Sequence, residues 1–185
     1  MPIDPASLRI LHYPAPALRE KARPIELSDE VAGVARRMVE LMREAEGIGL
    51  AAPQVGLPWR LFVCHVPEGQ GRSVSDAPPT ANAGPEVYVN PVLSDPLGPP
   101  EPGEEGCLSL PDIVGEVMRP PTITIAATDL EGRRFQRTAS GLLARCWQHE
   151  MDHLDGVLIL DRMLQKWRVK NRSAVRALEQ QSRLL

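Results

Sequence analysis

The run His149-Glu150-Met151-Asp152-His153 has the residue types and spacing of a metal-activated hydrolase. On an α-helix, residues four apart are separated by about 400° of rotation and about 6 Å of rise, so both imidazoles share a face and reach one cation. Glu150 lies about 100° further round the same turn, able to address a water on that cation without being a ligand. A catalytic centre of this kind takes three protein ligands and keeps a position for water, so one donor must come from elsewhere. Two cysteines compete for that role. Cys146, three residues before His149, shares the histidine face. Cys107 lies upstream at a loop-to-strand boundary, beside Glu104, Glu105 and Gly106. Spacing alone leaves both open. The third cysteine, Cys64, is adjacent to His65 on an extended run, so the two face opposite sides and make poor partners for one metal.

The helix that presents the histidines is expected to start at Thr138 or Ser140 as N-cap and to end at Asp155-Gly156. Its Leu142, Leu143, Cys146, Trp147, Met151 and Leu154 lie on more than one face, which predicts burial on both sides. An earlier helix has Ser28 as N-cap, Asp29 and Glu30 at the positive end of the dipole, and apolar residues from Val31 to Ala45 at helical spacing, with Gly47 ending it. Trp59 to Val66 reads as a buried strand. Val87-Tyr88-Val89 and Val92-Leu93 continue as strand broken by Pro91, and Thr122 to Ala127 and Arg134 to Thr138 form a pair around a turn at Asp129–Gly132. Val157 to Leu160 reads as a short apolar strand, and residues 8–27, punctuated by Pro14, Pro16 and Pro24, as a surface arm. Residues 67–86, rich in Gly, Pro, Ser and Asp, read as a mobile surface loop. Residues 161–185 read as a basic amphipathic helix: Arg162, Lys166, Arg168, Lys170, Arg172, Arg176 and Arg183 outnumber Asp161 and Glu179.

These elements predict an α+β fold, with small antiparallel or mixed sheets wrapped around a central metal-binding helix and a further helix towards each end. A length of 185 residues suits a single domain with its own core. The apolar fraction of 43%, the charged fraction of 24% and a net charge of −3 are ordinary for a soluble protein and give no global reason for sequence-specific nucleic-acid binding. No apolar run is long enough to span a bilayer, and Met1-Pro2-Ile3-Asp4-Pro5 has neither a basic leader nor an apolar signal core, which favours a cytoplasmic address. An odd number of cysteines, three, suits reduced thiols or a ligand better than structural bridges.

Three separated stretches together resemble the peptide deformylases: Gly47-Ile48-Gly49-Leu50-Ala51-Ala52-Pro53-Gln54, Glu105-Gly106-Cys107-Leu108-Ser109, and Gln148-His149-Glu150-Met151-Asp152-His153. An isolated H-E-x-x-H is a modest signal; three motifs in the family's order and spacing are a strong one. The resemblance implies Cys107, His149 and His153 as metal ligands, with Cys146 a structural or pocket-lining thiol. It implies Fe²⁺ as the physiological ion, although the donor set also suits Zn²⁺, Ni²⁺ or Co²⁺. It further implies that Glu150 takes the proton of a metal-activated water that attacks the formyl carbon of an N-formylmethionyl nascent peptide. Gln54 and the backbone N–H of Leu108 would meet the oxyanion. Ile48, Leu108, Leu142, Cys146 and the carbon face of His149 would line the methionine pocket. Gly47, Gly49 and Gly106 would leave backbone free for the peptide to add as a strand. Glu105, acidic and next to the cleft, needs a cationic partner, for which Arg119 is the expectation. The basic C-terminal helix would, by the same analogy, dock on the ribosome.

The chain departs from the pattern in two respects, one being the long loop from Val66 to Glu86, which the motifs do not explain. Where some relatives place a basic residue after the second motif to hold the peptide backbone, the chain carries Ile113 and Val114. The competing enzyme reading is another H-E-x-x-H peptidase, but that class draws its third ligand from a downstream Glu, Asp or His, and Cys107 lies upstream. A non-catalytic binding module is disfavoured because every chemical residue is present.

Overall fold

The structure, a computed structural model, describes residues 2–182. Helix α1 (Asp29–Glu44) starts where Ser28 Oγ accepts a hydrogen bond from Val31 N at 3.2 Å. It ends differently from the sequence expectation. Glu46, at φ 54°, takes the left-handed position, while Gly47 N donates to Met42 O at 2.8 Å and Glu46 N to Arg43 O at 3.0 Å. Gly47 is needed for another reason: a Cβ there would stand 2.7 Å from Leu108 Cδ1 across the cleft.

Strands β1 (Gly49–Ala51), β2 (Leu61–Cys64), β3 (Glu86–Leu97), β4 (Glu101–Cys107), β5 (Leu110–Arg119), β6 (Thr122–Thr128) and β7 (Arg134–Ser140) form two antiparallel sheets. The larger has the order β1-β2-β3-β6-β7, and β4-β5 is a separate hairpin. Every residue of β2 is buried because both faces of the large sheet are covered. Leu61 and Val63 pack with Val34, Met38 and Leu41 of α1, whereas Phe62 and Cys64 pack on the other side with Leu143, Trp147 and Leu154. Burying a side chain of that size is worth about 1.5–3 kcal/mol, so this two-sided strand is a main anchor of the fold. Strand β3 runs through Pro91 where the sequence suggests a break. Asn90 adopts φ 50° at a register shift between Val89 and Val92, a bulge that spares Pro91 a ladder hydrogen bond. The Asn90 amide also holds the N-terminal arm, accepting from Ile25 N at 2.9 Å and donating to Ile25 O at 2.8 Å.

The central helix, α2 (Gly141–Leu154), is buried on two sides as its sequence predicts. Ser140 occupies the N-cap, but its Oγ donates to Pro78 O at 3.2 Å instead of capping. Trp147 Nε1 donates to Tyr88 OH at 3.0 Å, and the Tyr88 ring stacks on Phe62 with centroids 4.6 Å apart. The segment between β2 and β3 returns through Asn82, whose Oδ1 accepts from Val66 N at 2.7 Å and whose Nδ2 donates to Cys64 O at 3.2 Å.

Two expectations are corrected after α2. Val157–Leu160 is not a strand: Gly156, at φ 73°, ends the helix, and Ile159–Arg162 forms a helical turn, α3. Its first turn is fixed by Asp161 Oδ2, which accepts from Leu158 N at 2.8 Å. The basic C-terminal helix is not continuous from residue 161. Met163 and Leu164 are extended, with Leu164 N donating to Glu116 O at 2.9 Å, and helices α4 (Gln165–Lys170) and α5 (Arg172–Ser182) follow. Arg183 lies outside the described residues. These C-terminal pieces cover the hairpin, where Leu110, Ile113, Val117, Ile159 and Met163 form a third core.

The Tyr88–Trp147 contact yields a stability expectation. Tyr88→Phe leaves the buried indole N–H without its acceptor and lowers unfolding free energy by about 1–3 kcal/mol. Trp147→Ala, which removes the side chain itself, lowers it by about 3–5 kcal/mol. Urea titration followed by circular dichroism checks both, and an unchanged stability in Tyr88→Phe would show that the hydrogen bond makes no separate contribution.

Candidate metal centre and cleft

Cys107 and Glu105 alternate on β4 so that both face α2, while Glu104 and Gly106 are exposed. The register of the hairpin shifts between Gly106 and Cys107, a local irregularity that re-aims the thiol. From α2, His149 and His153 present their Nε2 atoms 3.2 Å apart, and Cys107 Sγ lies 3.3 Å from His153 Nε2. The three donor atoms lie within 4.8 Å of one another. Cys146, the rival on sequence spacing, is not among them. Its Sγ is 3.3 Å from Cys64 Sγ, and both thiols are buried.

The donor set fits a divalent ion. His149 Nδ1 is 3.0 Å from Glu105 Oε2, the arrangement that fixes a ligand imidazole with its Nε2 lone pair turned to a metal. Burial, and then the charge of His149, push the pKa of His153 well below the ordinary imidazole range, leaving it neutral. Burial also pushes His149 down, but hydrogen bonds with Cys107 and Glu105 outweigh it and hold that imidazole protonated in the metal-free protein. A cation between the three donors replaces this proton.

Glu105 is the hub beneath the three donors. Arg119 donates to it as a fork, Nε to Oε1 at 2.6 Å and Nη2 to Oε2 at 2.9 Å, as the sequence suggests. Burial alone would raise the Glu105 pKa; Arg119 and His149 hold it well below the usual carboxylate range. Arg119 Nη1 continues to Asp152 Oδ2 at 3.0 Å, and Arg162 Nη2 reaches Asp152 Oδ1 at 2.8 Å. Arg145 Nη1 makes a further contact with Glu105 Oε1 at 2.9 Å. Sequence reasoning did not single out Arg145, although its place four residues before His149 puts it on the same face of α2.

A cleft of about 510 Å³ opens beside these ligands. Its lining includes the expected Gly47, Ile48, Gly49, Gly106, Leu142 and Cys146, together with Ile113 and Val114. Glu150 is buried on its wall, and burial pushes its carboxyl up to about 7, with Oε2 lacking any hydrogen-bond partner. Gln54 is held by Ala51 N, which donates to Oε1 at 2.8 Å. Its Nε2 donates to Ser109 Oγ at 3.2 Å and stands 3.6 Å from Cys107 Sγ. Leu108 occupies the turn directly after Cys107. A Cβ on Gly49 would overlap Glu150 Oε1 and stand 2.9 Å from Cys146 Sγ, so only glycine lets the carboxylate sit there.

A thiol and two helical imidazoles gathered beside a buried, unpartnered carboxylate define a metallohydrolase. The model of the polypeptide deformylase family matches residues 7–169, and the chain belongs to that family. It is 42% identical over 153 residues to the peptide deformylase of Maricaulis maris, covering 82% of each chain. Against that of Alkalilimnicola ehrlichii it is 40% identical over 180 residues, covering 97% of this chain and 94% of the relative. The crystal structure of peptide deformylase from Ehrlichia chaffeensis superposes with a TM-score of 0.84 at 30% identity, covering 96% of this chain and 97% of that one. As a member, the chain is a metal-dependent enzyme that removes the N-formyl group from nascent polypeptides.

Two substitutions separate the network around the donor cluster from Glu150. Glu105→Gln weakens metal binding by about 10–100-fold, because His149 loses its orienting partner and the buried guanidinium of Arg119 its counter-charge; competition with a chromogenic chelator measures it. Gly49→Ala keeps the metal but displaces Glu150, lowering kcat with little change in chelator-measured affinity. Unaltered kcat in Gly49→Ala would mean that the Glu150 position is not critical.

Proposed function

We propose that Cys107, His149 and His153 hold the catalytic ion, that Glu150 is the general base and acid, and that Gln54 Nε2 and the Leu108 N–H stabilise the oxyanion. The observation that carries this reading is the convergence of three donor atoms within 4.8 Å, next to a buried carboxylate with an unpartnered oxygen. The Lewis acidity of a bound divalent ion lowers the pKa of water from near 16 towards about 7 and polarises the formyl oxygen. Glu150, with its carboxyl near neutrality in the metal-free protein, accepts the proton of the attacking water. Gln54 Nε2 and the Leu108 N–H donate to the formyl oxygen as negative charge grows on it. Glu150 then returns the proton to the departing amine, so that formate and a free N-terminus leave.

The resident ion is Fe²⁺ on the strength of the family resemblance, and the thiolate–imidazole donor set also takes Zn²⁺, Ni²⁺ or Co²⁺. Metal analysis after anaerobic purification decides among them. Ile48, Leu108, Leu142 and Cys146 form the methionine pocket, and the peptide backbone adds along the free edges beside Gly47–Gly49 and Glu105–Gly106. The chain acts as one catalytic domain in the cytoplasm, where nascent formylated chains emerge. No helix among the described residues is long and apolar enough to cross a membrane.

Arg19, Arg168, Arg172 and Arg176 surround a groove of about 360 Å³ at the C-terminal helices. This positive surface supports docking on the ribosome, whose RNA backbone is the complementary charge. Arg172→Ala with Arg176→Ala weakens salt-sensitive co-sedimentation with ribosomes and leaves formate release from free peptides unchanged. Binding that does not respond to these changes places the anchor elsewhere.

Formate release from formyl-Met-Ala-Ser, set beside cleavage of unformylated Met-Ala-Ser, tests the central reading. Only the formylated peptide reacts; peptide-bond cleavage of the unformylated one would favour the general H-E-x-x-H peptidase. Glu150→Ala loses about 10²–10⁴-fold in kcat with metal retained, whereas Cys107→Ala loses metal and activity together. Normal turnover by the Glu150 variant would sink the scheme.

A further inference from the structure

The thiol and the imidazoles come from two bodies with different cores. Cys107 ends β4 of the hairpin, which packs with the C-terminal helices, whereas His149 and His153 belong to α2, which packs on the large sheet. The separation of these bodies sets the spacing of the three donors. Arg145, on α2, makes three contacts to the hairpin. Nη1 donates to Glu105 Oε1 and to Val117 O, both at 2.9 Å, and Nη2 donates to Glu101 O at 3.1 Å. One guanidinium therefore binds β4 at two places and β5 at a third. Its side chain is only 14% exposed, and the bonds to Glu105 and Val117 are the more sheltered from water, whereas the one to Glu101 is exposed.

The hairpin is shaped to receive this group. Gly103 lies on the same face of β4 as Glu105 and Cys107, and a Cβ there would stand 2.5–2.7 Å from Arg145 Cζ, Nη2 and Nε. Gly103 has no positive φ that would call for glycine on conformational grounds. The absent side chain is explained by the guanidinium lying flat against the backbone. Arg119, on β5, also grips Glu105, and its Nη1 bond to Asp152 Oδ2 at 3.0 Å is a second tie from the hairpin to α2, seven residues further along the helix than Arg145. Arg145 makes its tie from the α2 side, reaching both strands of the hairpin at the level of Glu105 and His149.

We propose that Arg145, seated on Gly103, is a positioning residue that clamps the β4–β5 hairpin to α2 and so sets the distance between the Cys107 thiolate and the two imidazoles. The inference rests on the reading of Cys107, His149 and His153 as ligands. A lysine in the same place keeps the charge but not the planar fork, so it cannot hold the Glu105 carboxylate and both carbonyls together.

Cobalt(II) substitution tests the clamp through the near-ultraviolet thiolate-to-cobalt charge-transfer band, which reports the sulfur–metal geometry. Arg145→Met is expected to weaken the band and raise the Co²⁺ dissociation constant about 10-fold, within the range for outer partners of ligands. Arg145→Lys falls between it and the wild type. Gly103→Ala, an independent route if Arg145→Met does not fold, displaces the guanidinium and changes the band in the same direction; added to Arg145→Met, it changes the band no further. Arg60→Met calibrates general loosening, since it removes an α2 tie to Asp155, 3.1 Å long, that does not involve the hairpin; it lowers thermal stability and leaves the band intact. Wild-type band and affinity in Arg145→Met, or an equal change in Arg60→Met, overturns the proposal. Absence of the band from wild-type protein would instead reject the Cys-His-His reading itself.

Discussion

The ionised carboxylate of Glu105, held inside the protein, is the interaction on which the site depends. An isolated charge at that depth would cost several kcal/mol, and would protonate before it stayed ionised. Here its two oxygens are occupied by the Arg119 fork, by Arg145 and by His149 Nδ1. The four contacts come from β5 and from α2, so charge compensation and mechanical assembly are the same event. The ionised state of Glu105 orients His149, and His149 in turn places one of the donors that gather a metal. A neutral residue of similar shape would fill the space without fixing the imidazole.

Helix α2 can carry this chemistry because its other side is committed to packing. Leu143, Trp147 and Leu154 are sunk into the core formed with Phe62 and Tyr88. Rotation of the helix about its axis would withdraw these side chains from that core, so the orientation of His149, Glu150 and His153 follows from apolar burial some distance from the cleft. Glu150 benefits in a second way. The low polarity around it, including Cys146 and the bare backbone of Gly49, raises its proton affinity to the range useful for a base at neutral pH.

Much of the site could be read from the residues. His149, Glu150 and His153 declare their helical geometry by spacing, and Arg119 as partner to Glu105 follows from the need of an acidic residue beside the cleft for a counter-charge. The choice of Cys107 over Cys146 could not be made from spacing, since both suit a thiolate ligand. It depends on a strand pairing between residues far apart in the chain. The β5 strand was hidden for a similar reason: its Pro111, Gly115 and charged residues have weak strand propensity, and burial against α3 and α4 overrides it. Val157–Leu160 misled because four apolar residues do not distinguish a strand from a helical turn. The Asp161 side chain decides in favour of the turn by capping Leu158. The break expected at Pro91 was absorbed into a bulge, which needs the left-handed Asn90 and its two bonds to Ile25, a contact across 65 residues.

The division of apolar packing into separate cores, one pair around the large sheet and another beneath the hairpin, places the cleft along a seam. Across this seam run directional polar bonds, those of Glu105 with Arg145 and His149 and of Arg119 with Asp152. Packing within each core therefore orients the donors that its own elements carry, and these bonds set how far apart the two sets stand. A change inside one core thus reaches the donor cluster through the body that carries its own donors, and reaches the opposite donors through these bonds.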